Sequence, residues 1–283
     1  MAGYAPVVEV CSTMSAYDRW RLGVERCVVV PTMGALHRGH ASLMEAARRA
    51  RPEWPIVVTV FVNPTQFSEA ADFERYPKTL DADAALCRDA GAACVLAPSA
   101  AEVYPRGPLA GVPPLPAVAT RPGLEDRFRP GHFAGVCQVV RRLFEMTRPH
   151  AAIFGEKDWQ QLQVIRAMVR ELDLGVEIVA SPTVREADGL AMSSRNRFLT
   201  AEDRTHGLAL SRALREASQE RTVARAEERM AVVLSGLDVE YAVIRDAESL
   251  EAWREGRPGR ALIAARVGSV RLIDNAAWHP RDA

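Results

Sequence analysis

The sequence predicts an α/β fold: a parallel sheet with helices on both faces, followed by a smaller C-terminal α+β domain. Three features carry that prediction. Up to about residue 182, short β-branched runs alternate with helical stretches, the pattern of a parallel sheet and its crossover helices. The run Ile56 to Val62 is almost continuously apolar, as a central parallel strand should be. After Ser181-Pro182 the order changes to helices first and alternating strands last, so the expected domains are 1–182 and 183–283.

In chain order, Val7 to Val10 and Cys27 to Val30 read as strands around a helix near Ser12 to Leu22. A helix from Ala41 to Arg51 leads to the strand Ile56 to Val62, which stops at the turn signal Asn63-Pro64. Asp81 to Ala90 reads as a helix, Ala92 to Leu96 as a strand and Pro98-Ser99 as a turn. Tyr104 to Pro130 is rich in Pro and Gly and offers no clear element; so long a loop suggests a lid or a substrate-side wall. Gly135 to Met146 is helical in pattern, Ala151 to Phe154 is a strand, and Gln160 to Leu172 is a helix with Leu162, Ile165, Met168, Val169 and Leu172 on its apolar face. Val176 to Val179 ends the alternation. The C-terminal part reads as a helix from Ala201 to about Arg221, a second over Ala224 to Leu234 with a solvated Arg and Glu face, and strands near Val239 to Ile244, Ala261 to Val267 and Val270 to Ile273.

Composition narrows the function. Lys plus Arg and Asp plus Glu both number 36, so bulk charge recruits neither nucleic acid nor an anionic membrane. No apolar run approaches the roughly 18 to 20 residues of a membrane helix, and the N-terminus lacks a secretion pattern, so a cytoplasmic location is expected. Five cysteines without a Cys-x-x-Cys pair read as small buried apolar residues. His37 and His40 have no neighbouring ligand set for zinc, and no metal ligand is assigned.

Ligands of open parallel sheets bind beyond the carboxyl ends of the strands. There the chain places Thr32 to His40, Asn63 and Gln66, Gly155-Glu156-Lys157-Asp158, and Thr183 to Arg185 followed by Met192 to Arg195. The first group carries two histidines into the start of a helix, where free N–H groups and the helix dipole favour an anion. Imidazoles, a lysine, an arginine and hydroxyls suit a polyphosphate; the carboxamides of Asn63, Gln66, Gln160 and Gln161 suit a small hydroxylated substrate. Neither a Walker A nor a Gly-x-Gly-x-x-Gly pattern is present. A phosphate site of this kind points to attack at the α-phosphorus rather than to γ-phosphoryl transfer.

His-x-x-His with a distant Met-Ser-x-Arg loop resembles the adenylyl-transfer superfamily of nucleotidyltransferases and class I aminoacyl-tRNA synthetases. Within it, five collinear segments resemble the pantothenate synthetase (pantoate:β-alanine ligase) family: Pro31 to His40, Phe61 to Phe67, Arg129 to Val136, Phe154 to Leu162 and Arg185 to Asn196, with Leu272 to Asn275 also fitting. The resemblance implies a Rossmann-like sheet and a two-step reaction, in which pantoate attacks ATP to give pantoyl adenylate and β-alanine then displaces AMP. It implies that Met33, Gly34, Ala35, Leu36, His37, Arg38, Gly39 and His40 hold ATP, with His37 and His40 donating to phosphate oxygens and His40 as the proton donor, a role that suits an imidazole near its working pKa. Gly155, Glu156, Lys157 and Asp158, with Lys157 on the phosphates, and Val184, Met192, Ser193, Ser194 and Arg195 complete the nucleotide site. Gln66 and Gln161 are assigned to pantoate, Gln66 also to β-alanine, and Mg²⁺ is expected with ATP. A homodimer through the N-terminal domain and a C-terminal lid are implied as well.

Several positions keep two readings. Gln161 could be a solvated first-turn residue, Ser193-Ser194 an N-cap pair, and Arg129 and His132 either line the site or fix the Pro130-Gly131 turn. Asp81 and Asp83 stand where the family carries acidic residues near the metal. Asp126 replaces an expected glycine, Gly111 to Pro116 is an unusual loop, and Trp159 stands where a tyrosine is common. A nucleotidyltransferase acting on a phosphorylated acceptor is the alternative enzyme, and a nucleotide-binding regulatory module the alternative outside catalysis; Gln66 and Gln161 speak against the first, the joint presence of both histidines, Lys157 and the Met192 to Arg195 loop against the second.

Overall fold

A computed structural model describes residues 8–66 and 70–280. Val7 and Phe67, both included in the sequence expectations, lie outside the described residues. The first half alternates as anticipated: β1 (Glu9–Cys11), α1 (Met14–Arg21), β2 (Val28–Thr32), α2 (Arg38–Ala50), β3 (Ile56–Val60), α3 (Ala70–Arg75), α4 (Leu80–Asp89), β4 (Cys94–Leu96) and α5 (Ala100–Val103). It continues through α6 (Glu125–Phe128), α7 (His132–Thr147), β5 (Ala151–Gly155), α8 (Trp159–Glu171) and β6 (Glu177–Ser181).

The parallel strands run in the order β1-β4-β3-β2-β5-β6. The chain therefore winds outward from β2 in one direction, then crosses over to β5 and β6. The switch lies between β2 and β5, where strand ends diverge and a crevice opens. Alternation across the sheet explains the apolar runs. Val28 and Val30 join Met44 and Ala47 of α2 and Cys87 of α4, whereas Val29 packs with Tyr17, Val136, Ile165 and Met168 on the other face. Each such valine, fully buried, contributes about 1.5–3 kcal/mol. All five cysteines are free and buried, as expected of small apolar residues.

The stretch 104–130 is more ordered than its Pro and Gly content suggests. It holds a 3-10 turn over Ala117–Ala119 and the short α6, whose Glu125 is buried. α2 and α7 each begin three residues earlier than their apolar periodicity indicates, because His37 and Gly131 act as N-caps.

The C-terminal part consists of α9 (Ala201–Ala217), α10 (Val223–Val233) and an antiparallel sheet in the order β7-β8-β9, formed by β7 (Asp238–Asp246), β8 (Gly259–Val267) and β9 (Val270–Trp278). The expected helix to Arg221 stops at Ala217, and Thr222 caps α10. α10 is not only a solvated face: Ala226 and Met230 enter the C-terminal core. Ile263 and Ala265 of β8 pack under α9 and α10, while Leu262 packs into the core shared with the parallel sheet. Among the described residues no helix is long and apolar enough to cross a membrane.

One contact ties the fold to the crevice. A Cβ at Gly135 of α7 would lie 2.7 Å from the backbone oxygen of Thr65 and 2.4 Å from its Oγ1. Gly135→Ala gains about 1 kcal/mol of helix propensity but must push α7 off the 3-10 turn Pro64–Gln66, an overpacking cost of about 1–3 kcal/mol. The expected outcome is a lower urea midpoint at unchanged m-value; a raised midpoint contradicts this packing.

Candidate active site

The helix α2 exposes unsatisfied N–H groups at its start, as every helix does. Here two imidazoles satisfy them reciprocally. His37, the N-cap, accepts the Gly39 N–H at Nδ1 (3.1 Å), and His40 Nδ1 accepts the His37 N–H (3.2 Å). Each Nδ1 is therefore an acceptor, so in the neutral ring the proton resides on Nε2. The rings lie 4.2 Å apart between centroids. Burial, then the neighbouring His37, then Lys157 push His40 down to about 3, and burial with Lys157 also lowers His37. His40 thus sits well below the near-ordinary value expected, and it meets an anion as a neutral Nε2–H donor. Gly39 admits this arrangement, since a Cβ there would lie 2.8 Å from the His37 ring.

The preceding loop is tightened from behind. Gly34 has φ +84° and Ala35 φ 51°, and Asp83 of α4 accepts the N–H groups of Ala35 (3.1 Å) and Leu36 (2.8 Å). Thr79 Oγ1 donates to the same carboxylate, and Tyr76 donates its hydroxyl to the Gly34 carbonyl. Asp83, one of the two acidic residues considered near a metal, is spent on the backbone and is buried. Nothing in the local sequence marks it for this task.

Around the crevice at the β2/β5 switch stand Met33, Gly39, His37, His40, Gln66, Tyr76, Gly155, Lys157, Asp158, Gln161, Val184, Met192, Ser193, Ser194 and Arg195. Most of the predicted site residues are therefore brought together. Gly34, Ala35 and Leu36 form the loop behind, Arg38 is exposed, and Glu156 turns to Arg260 (3.1 Å) instead. The four carboxamides divide. Asn63 is buried, accepting from Tyr104 (2.6 Å) and Thr65, and Gln160 is buried, accepting the Glu125 N–H and donating to Val118 and Asp126. Gln66 and Gln161 line the cleft, as does the buried Asn63, whereas Gln160 does not.

Both readings of two other pairs hold. Ser193 caps a 3-10 turn over Ser194–Phe198 and also lines the cleft with Ser194. Arg129 and His132 line it too, and Arg129 donates to the Gln66 carbonyl (2.9 Å) and to His132 Nε2 (3.1 Å). Burial and the Arg129 cation push His132 down to about 3. Burial raises the carboxyl of Glu125, but the hydrogen bonds and charge of Arg271, the Tyr241 hydroxyl and the Arg129 cation together outweigh it and bring it down to about 2.

The C-terminal sheet fixes two cleft loops. Arg185 forms a two-point pair with Asp274 of β9 (2.6 and 2.9 Å), and Asn275 donates to the carbonyls of Glu156 (3.0 Å) and Lys157 (2.8 Å). Arg260 donates to Asn275 Oδ1 (2.7 Å) and lies 3.6 Å over the Trp159 ring, so the unusual tryptophan has a cation partner. Glu186 and Asp188 bind Arg204, and Asn196 donates to Glu186, which fastens the 185–196 loop onto α9. Among the described residues no group of three His, Cys, Asp or Glu side chains is placed to hold a metal ion.

Comparison with known proteins gives a single family. The family profile described as Pantoate-beta-alanine ligase matches residues 7–277. A pantothenate synthetase of Nocardioides sp. is 51% identical, covering 96% of this chain and 85% of that protein, and one from Rubrobacter xylanophilus is 49% identical, covering 92% and 93%. A crystal structure of pantothenate synthetase from Thermus thermophilus aligns with TM-score 0.86 at 41% identity over 95% of this chain and 99% of that one. Pantoate-beta-alanine ligase from Francisella tularensis, complexed with beta-gamma ATP and beta-alanine, aligns with TM-score 0.79 at 30% identity over 96% and 98%.

His40 and His132 make stability depend on pH. Their folded values near 3 lie below the unfolded value of about 6.5, so the unfolded chain binds more protons in between. Stability is complete above about pH 6.5 and declines as pH falls towards 3. Carboxylates add to the loss only below about pH 4.5, so urea midpoints at about pH 7.5 and 5.5 isolate the histidines. Equal midpoints contradict the assignment.

Proposed function

The chain belongs to the pantoate-beta-alanine ligase family, and on that premise we propose how its cleft divides the work of the reaction. The enzyme condenses pantoate with β-alanine in an ATP-dependent reaction through pantoyl adenylate, releasing AMP and pyrophosphate. The observation that carries the assignment of roles is the reciprocal cap of His37 and His40. It commits both Nδ1 atoms to the backbone, leaving Nε2–H as each ring's donor in a cleft that also holds Lys157 and Arg195.

In the first step a pantoate carboxylate oxygen bonds to the α-phosphorus while the bond to the bridging oxygen breaks and pyrophosphate leaves with the electron pair. Negative charge grows on the α-phosphate oxygens and the leaving group. His37 and His40 donate to those oxygens, Lys157 and Arg195 neutralise the departing pyrophosphate, and none reorganises as the charge develops. His40 transfers no proton: its ring stays neutral, with Nδ1 accepting the His37 N–H, and it acts by donating a hydrogen bond from Nε2–H to the oxygens on which charge develops. Met33, Gly39, Gly155, Asp158, Val184, Met192, Ser193 and Ser194 enclose the nucleotide, and Gly34, Ala35, Leu36, Arg38 and Glu156 support this wall from behind or from its rim. Gln66 and Gln161 hold the hydroxyl and carboxylate groups of pantoate. In the second step the β-alanine amine, beside Gln66, attacks the acyl carbon; the bond to the phosphate oxygen breaks, AMP leaves, and the amine loses a proton.

Mg²⁺ would come with the nucleotide, held mostly by phosphate oxygens and water, and would offset the charge of the departing pyrophosphate. The buried Asp83 is committed to backbone N–H groups, which fits that reading. The division at 182/183, a C-terminal lid and a homodimer through the N-terminal part belong to the same reading.

Incubation with ATP, Mg²⁺, pantoate and β-alanine should yield AMP, pyrophosphate and pantothenate in equal amounts. AMP formation indifferent to pantoate, or ADP as product, contradicts the assignment. His40→Ala should slow adenylate formation by about 10²–10³-fold, while loss of its capping contact costs about 0.5–2 kcal/mol of stability. Near-normal turnover in that variant removes His40 from the mechanism.

A further inference from the structure

β9 is remote in sequence from every cleft loop except through its side chains. Val270, Leu272 and Trp278 point into the C-terminal core, so by the two-residue period of a strand the odd-numbered positions face the parallel-sheet side. Two polar residues stand on that face, Arg271 and Asn275, separated by four residues and hence by about 13 Å.

Each reaches a different half of the cleft. Arg271 pairs at two points with Glu125 (2.9 and 2.6 Å), and Tyr241 of β7 donates to the same carboxylate (2.6 Å). Glu125 lies 3.5 Å from Arg129, whose guanidinium holds the Gln66 carbonyl and His132 Nε2. Asn275, its amide orientation fixed by Arg260, donates to the carbonyls of Glu156 and Lys157, on either side of the Lys157 Cα, and so sets where the Lys157 side chain begins. Arg271 therefore acts on the pantoate side and Asn275 on the phosphate side, and the fixed pitch of one strand separates them.

We propose that β9 works as a spacer between the two half-sites, with Arg271 a positioning residue for Gln66 through Glu125 and Arg129, and Asn275 a positioning residue for Lys157. This inference rests on the roles given above to Gln66 and Lys157. Neither β9 residue lines the cleft that holds His37, Gln66 and Lys157. The spacing matters because attack requires the carboxylate and the α-phosphorus to meet at reacting distance, where a shift of an ångström changes the rate by orders of magnitude.

The test is a double dissociation in steady-state kinetics of the full-length enzyme. Arg271→Met should raise KM for pantoate by about tenfold and leave KM for ATP within about twofold. Asn275→Ala should do the reverse. Glu125→Gln should reproduce Arg271→Met, and Arg260→Met should reproduce Asn275→Ala, so each arm has a second variant should the first fold poorly. Thermal melts establish which variants are folded. A merely structural role lowers the active fraction and moves both KM values together or neither; either pattern in the folded variants overturns the proposal. Absence of pantothenate formation by the unaltered enzyme would instead refute the functional reading on which this one stands.

Discussion

The cleft depends on the first turn of α2, where a helix needs acceptors for its free N–H groups and receives two imidazoles. A serine or aspartate cap would satisfy the backbone equally well. Histidine adds a second nitrogen on the far side of the ring, so the atoms that close the helix also fix the tautomer that faces the ligand. Gly39 is required by the packing of His37, the left-handed turn at Gly34 and Ala35 is braced by Asp83, and the resulting loop enters the sheet through β2, its central strand. Burial first, and the cation of Lys157 after it, keep both rings neutral, and a neutral donor meets a polyphosphate without first losing a counter-ion.

Much of this was legible in the chain because it is local. Val28 to Val30 and Ile56 to Val60 could only be strands buried on both faces, and the punctuation after each strand pointed to the cleft. The carboxamides show where locality ends. Gln160 and Gln161 are neighbours, yet a helix turns by about 100° per residue, so one is locked under the 117–126 segment and the other lines the cleft; only the helix phase distinguishes them. Asp83 is illegible for another reason, since its partners are backbone N–H groups 47 and 48 residues away.

The stretch 104–130 illustrates the same limit from the side of composition. Its prolines and glycines suggested a lid or a wall, and they hid α6 because four residues leave no periodicity to detect. Nothing in the sequence singles out Glu125; its partner Arg271 is 146 positions further on. Long-range ion pairs of this kind carry no signature in a single sequence. The Leu272 to Asn275 segment stood out only by resemblance, and its purpose became visible when Asp274 and Asn275 were found on opposite faces of one strand, each fastening a different cleft loop.

β8 lends apolar side chains to two cores at once: Leu262 belongs to the one beneath the parallel sheet, Ile263 and Ala265 to the one beneath α9 and α10. Detaching the C-terminal sheet would therefore expose both interiors, take Arg271 and Tyr241 away from Glu125, and part Arg260 from Glu156. The boundary proposed at 182/183 thus falls between two interiors that share one strand. A chain without β8 and β9 would keep His37 and His40 capping α2 but leave Lys157 and the 185–196 loop without the contacts of Asn275 and Asp274.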